Sequence, residues 1–84
     1  MQLQDFMKYI PVLQQRDFEI YPQPQGIDRS NSKFTFIDND QTHITVQNVG
    51  TQQNYLIPLV LIEFASPGIL RLTRTVTVRN GSLI

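Results

Sequence analysis

Leu3, Phe6, Met7 and Ile10 fall at i, i+3, i+4 and i+7, the spacing of one helical face, with Gln4, Asp5 and Lys8 between them. This stripe predicts a short N-terminal helix. Pro11 lacks an N–H and crowds the carbonyl four residues back, so the helix is expected to end or kink near Ile10, with Leu13 able to extend the stripe. Next, Phe18 and Ile20 alternate with Glu19 and Tyr21, the period of a short strand, until Pro22, Pro24 and Gly26 interrupt it. The piece PQPQG reads as an extended connector.

KFTFIDNDQTHITVQN carries two alternating runs, Phe34–Phe36 and Ile44–Val46, around the turn-forming cluster Asp38, Asn39 and Asp40. A β-hairpin is predicted, its even positions facing the core and His43, Thr45 and Gln47 on the other side. YLIPLVLIEFASPGILRLTRTVTVRN is apolar up to Ala65 and then turns at Ser66, Pro67 and Gly68, a Pro-Gly order suited to a type II turn. That predicts a second hairpin. Pro58 cannot donate to a ladder, so Tyr55–Ile57 is expected as an edge strand or as a piece separate from Val60–Phe64. A one-turn helix starting at Pro58 competes for Leu59–Phe64, but the β-branched and aromatic content favours strand. Leu83 and Ile84 either pack on the sheet or fray. The fold class expected is α+β, one domain over residues 1–84, with a short N-terminal helix packed on an antiparallel sheet of about five strands.

Within ILRLTRTVTVRN the odd positions read Arg71, Thr73, Thr75, Thr77 and Arg79, against Leu70, Leu72, Arg74, Val76 and Val78 at the even ones. On one continuous strand the odd row would form an exposed face with its two arginines roughly 25 Å apart. Its guanidinium and hydroxyl donors suit phosphate oxygens or a partner's carboxylates. The same row also fits an ordinary solvent-facing strand, and it contains no aromatic side chain on which bases could stack. A two-residue loop at Pro67 and Gly68 would set Glu63 opposite Leu72 and make Arg74 its diagonal neighbour, predicting a Glu63–Arg74 pair.

Composition narrows the functional classes. The chain has 84 residues, seven basic, seven acidic and no cysteine. Zero formal charge removes the global basic field of a protein that coats nucleic acid, although no acid follows Glu63. Without cysteine there is no disulfide framework and no thiolate nucleophile or ligand, which leaves packing or self-association to hold a small core. MQLQDFMKYI lacks the basic start and apolar run of a signal peptide, and YLIPLVLI is too short to span a bilayer. A cytoplasmic protein without a membrane partner is expected.

Candidate chemistry is sparse. His43, the one histidine, has no neighbouring nucleophile or orienting acid in the sequence. Asp38 and Asp40 lack the ligand number and the distal Glu of a calcium loop, and they fit a turn. Asp17 and Glu19 read as solvated charges, and the four glycines are scattered singly rather than grouped around a phosphate. No enzyme, cofactor, metal or small-molecule ligand is expected. The reading that follows is a small non-catalytic protein-binding or regulatory module, of the kind found in bacterial or mobile-element systems. It would use a protein partner or self-association, for instance by adding a strand to an open sheet edge. The alternative is a nucleic-acid-binding module using Arg71, Thr73, Thr75, Thr77 and Arg79. The pieces IPLVLIEF and RNGSL resemble stretches of the β-rich LytTR DNA-binding domains, but they include no DNA-contact motif and leave most of the chain unexplained, so no family is assigned from them.

Overall fold

The computed structural model describes residues 1–84. Its helical arm runs from α1 (Leu3–Phe6) through a 3₁₀ turn (Met7–Tyr9) into α2 (Ile10–Gln14). Pro11 sits in the first turn of α2, where a missing N–H leaves no bond unmade, so the arm continues past it. Phe6 and Leu13 are buried, as the stripe predicts, but Met7 is 54% exposed. The 3₁₀ turn is the reason: three residues per turn instead of 3.6 change the phase of the stripe and leave Met7 outside it.

Eight strands follow, namely β1 (Glu19–Tyr21), β2 (Phe34–Asn39), β3 (His43–Asn48), β4 (Asn54–Pro58), β5 (Ile62–Ser66), β6 (Ile69–Leu72), β7 (Val78–Arg79) and β8 (Ser82–Leu83). They form a three-stranded sheet ordered β1-β6-β5 and a five-stranded sheet ordered β2-β3-β4-β8-β7. The class is α+β, but the expected single antiparallel sheet is corrected to mixed sheets, because β1–β6 and β4–β8 pair in parallel. These partners lie far apart in sequence, and alternation within one strand carries no information about them.

Both predicted hairpins are present. In β2–β3 the pairing steps from Phe36↔Val46 to Asp38↔Thr45, so Ile37 is a bulged residue. The turn is held by Asp40, whose carboxylate accepts the N–H groups of Thr42 (2.8 Å) and His43 (2.7 Å). In β5–β6, Gly68 has φ +82°, as a type II turn requires at that position, and Ser66 pairs with Ile69. Pro58 ends β4, where no further ladder donor is needed. Since β4 pairs with both β3 and β8 it is not an edge strand. Leu59–Leu61 then form a 3₁₀ turn before β5, so the competing readings of this stretch each hold for part of it.

Two short bridges join the sheets. Phe18 pairs with Phe34 at the start of β2, and Gln25 pairs in parallel with Thr77 beside β7. Residues 18–25 therefore run from β2 to β7 and close β2-β3-β4-β8-β7 into a barrel-like ring, with the β5–β6 hairpin attached to the closing segment. Residues 69–79 run parallel to this segment, paired at Tyr21↔Arg71 and again at Gln25↔Thr77. Thr77 lies six positions after Arg71 where Gln25 lies four after Tyr21, and the surplus is taken up in a bend. Sixteen buried apolar side chains fill the interior, among them Phe6, Phe18, Phe34, Ile57, Leu70 and Leu83. Leu83 is thus packed, and Ile84 exchanges backbone hydrogen bonds with Thr77 rather than fraying.

Candidate functional site

The bend decides the fate of the Arg/Thr row. β6 ends at Leu72 and β7 begins at Val78, so Arg71, Thr73, Thr75, Thr77 and Arg79 do not share one strand face. The expectation of a continuous exposed row is corrected accordingly. Thr73 donates its N–H to Leu61 O (2.8 Å), and the Thr75 carbonyl accepts from Arg74 (3.1 Å). Thr77 donates its hydroxyl to Gln25 Oε1 (3.3 Å) and its N–H to Ile84 O (3.1 Å). These bonds hold the bend and the ring closure. Arg79 lies on β7 in the five-stranded sheet, paired with Ser82, and only Arg71 remains in the three-stranded sheet.

The Glu63–Arg74 pair does not form either. Glu63 is the bulged residue between Ile62↔Leu72 and Phe64↔Arg71, which takes it out of register, and the one ion pair of the chain is Lys33–Glu19 at 3.1 Å. The bulge and its charge also bear on strand addition. The β7 end of the sheet is occupied by Gln25, whose N–H donates to Val76 O (2.8 Å) and whose carbonyl accepts from Val78 N (3.1 Å). The β5 edge has no further strand partner and carries Glu63 and the bulge, and the outer flank of β2 beyond its bridge at Phe34 is likewise unpaired and carries the bulge at Ile37, all devices that discourage an added strand.

Around Arg71 the fold assembles what the sequence row lacked. Ile20, Leu70 and Ala65 point into the core from β1, β6 and β5, so their strand neighbours point outward. Register places Tyr21 beside Arg71 from one side and Phe64 beside it from the other. Tyr21 is 37% and Phe64 39% exposed, large values for aromatic rings. One step along the strands, Glu19, Ile69 and Ser66 form a second row on the same face, with Ile69 also exposed. The Arg71 guanidinium makes no hydrogen bond or ion pair within the chain, whereas Glu19 is held by Lys33 Nζ. That bond, with smaller help from Tyr21 and Ser32, keeps the Glu19 carboxyl below its ordinary range against a partial desolvation that acts the other way.

A second surface feature lies beside the helical arm. Leu3, Met7, Leu59, Val60 and Thr42 line an open cleft of about 550 Å³, in which Val60 is 75% exposed. No helix is long and apolar enough to cross a membrane. No three His, Cys, Asp or Glu side chains gather where a metal ion could be held, and His43 has its Nδ1 2.7 Å from the Thr42 hydroxyl. No family model, curated protein or solved structure matches this chain.

Proposed function

We propose that this chain is a small non-catalytic, cytoplasmic protein-binding module that receives its partner on the outer face of β1-β6-β5. The observation that carries the reading is the row Tyr21, Arg71 and Phe64, set in register across three strands, with both rings half-exposed and the guanidinium unpaired. Tyr, Phe and Arg are the residue types enriched where partner proteins bind, because they offer large rigid contact area and strong directional donors. Ile69 beside the row extends the apolar area.

Single-stranded nucleic acid is the second reading, with bases stacked on Tyr21 and Phe64 and a phosphate on Arg71. Seven basic residues balanced by seven acidic ones weigh against it, since backbone neutralisation needs an excess of cations. Immobilised protein, compared with its Arg71→Ala and Tyr21→Ala variants for the proteins each retains, with and without nuclease, separates the two. Protein binding predicts a nuclease-resistant set that both substitutions deplete. Retention lost on nuclease treatment and falling steeply with salt would replace it by the second reading.

A further inference from the structure

Resting on the sheet-face reading, we infer that the partner presents a carboxylate side chain flanked by apolar residues, and that Arg71 is the residue that takes it. Arg71 has no acceptor in its own chain. The acid on the same face, Glu19, is engaged by Lys33 at 3.1 Å, and Glu63 at the neighbouring bulge lies outside ion-pair distance of the guanidinium. The face therefore offers five uncommitted N–H donors in a planar fork, and the group that matches this fork with a single compensating charge is a carboxylate.

The flanking rings set what accompanies that carboxylate. Tyr21 and Phe64 stand on the strands either side of Arg71, about 9–10 Å apart at two strand spacings. Same-face side chains of an extended chain recur at every second residue, ~6.6 Å apart. A segment crossing the strands can then set its acid on Arg71 and direct apolar side chains two positions before and two positions after it to the two rings. Exclusion of water by the rings strengthens the charged hydrogen bonds between them.

The test is selection from a random-peptide display library on the folded protein, with a labelled oligothymidylate titrated in parallel. Enriched peptides are expected to carry Asp or Glu between apolar residues. Their binding should weaken about tenfold or more with Arg71→Gln, and equally when the peptide acid is changed to its amide, while Arg79→Gln leaves it unchanged. Amide NMR spectra of the variants check that the fold is retained. Enriched peptides that lack an acid, yet are lost with Tyr21→Ala or Phe64→Ala, would overturn the carboxylate inference and leave the protein-binding reading standing. No enrichment, or enrichment indifferent to all three face residues, would overturn both. Oligothymidylate binding that depends on Arg71, in the absence of peptide binding, would overturn both in favour of nucleic acid.

Discussion

Phe18 and Phe34 exchange two backbone hydrogen bonds, of 2.9 and 2.8 Å, and both rings are wholly buried. The pair anchors the closing segment to β2, and the Phe34 ring meets Tyr55 edge-on at 6.4 Å. Removing either ring leaves a cavity at the junction of the two sheets. Phe34→Ala is expected to cost about 3–5 kcal/mol, read as a lower midpoint in urea unfolding. A loss below ~1 kcal/mol would mean that the junction is not part of the folded core.

Asn48 is the one buried polar residue, and its side chain ties the loop after β3 to Asn31. Its Nδ2 donates to Asn31 O (2.6 Å), and its Oδ1 accepts the N–H groups of Gly50 (3.0 Å) and Thr51 (3.1 Å). Asn48→Ala should cost about 2–3 kcal/mol by leaving these groups unpaired, and faster hydrogen exchange at Gly50 and Thr51 is the local readout. Unchanged exchange there would show that the loop holds without Asn48.

Acid should weaken the fold through three carboxylates held below their ordinary values. Glu19 is lowered chiefly by the hydrogen bond from Lys33, Asp28 by the backbone N–H of Ser30, and Asp40 by the backbone N–H groups of Thr42 and His43. A folded-state value below the unfolded one stabilises above the unfolded value, 4.5 for Glu and 3.8 for Asp, and that contribution is lost as pH falls through the folded value. The melting temperature is therefore expected to drop below about pH 4.5. Asp40→Asn, which keeps the acceptor and removes the charge, should flatten that drop, and an Asp40→Asn curve parallel to wild type would remove Asp40 from the account.

Arg71, Arg74 and Arg79 are exposed, and among their side chains only Arg74 makes a hydrogen bond within the chain. Arg71→Ala and Arg79→Ala should each change stability by less than ~0.5 kcal/mol, as should Glu63→Gln, since no Glu63–Arg74 pair exists to break. Equilibrium unfolding of the three single variants checks this. A cost above ~1 kcal/mol for Arg71→Ala would mark it as structural and remove it from the binding face.

Legibility in the sequence follows from which interactions are local. Both hairpins can be read because their turns are written in Asp38, Asn39 and Asp40 and in Pro67 and Gly68, beside strands whose alternation sets the inward face. The row through residues 69–79 reads as one strand because the bend adds an even number of residues, so Leu70, Leu72 and Val76 all still point inward. Arg74 carried the contrary signal: a charge at an even, apolar position marks where the strand leaves the sheet. The candidate face was half legible. The two-residue loop at Pro67 and Gly68 sets Ser66 on Ile69 and hence Phe64 on Arg71, before the bulge at Glu63 is reached, so that half can be read from the turn and the alternation, whereas the meeting of Arg71 with the outward Tyr21 depends on a parallel pairing across fifty residues.

The closing segment also fixes an order of events during synthesis. The hairpins β2–β3 and β5–β6 bring near neighbours together, whereas Gln25 must wait for Thr77, 52 residues later. Until then the ring stands open at the flank of β7, with the backbone groups of Gln25, Val76 and Val78 unpaired. Non-local closure of this kind slows folding and lengthens the time in which strand edges are exposed. The chain is therefore most prone to aggregate before residues 76–78 reach Gln25, and permuting it so that these two segments become adjacent should shorten that interval.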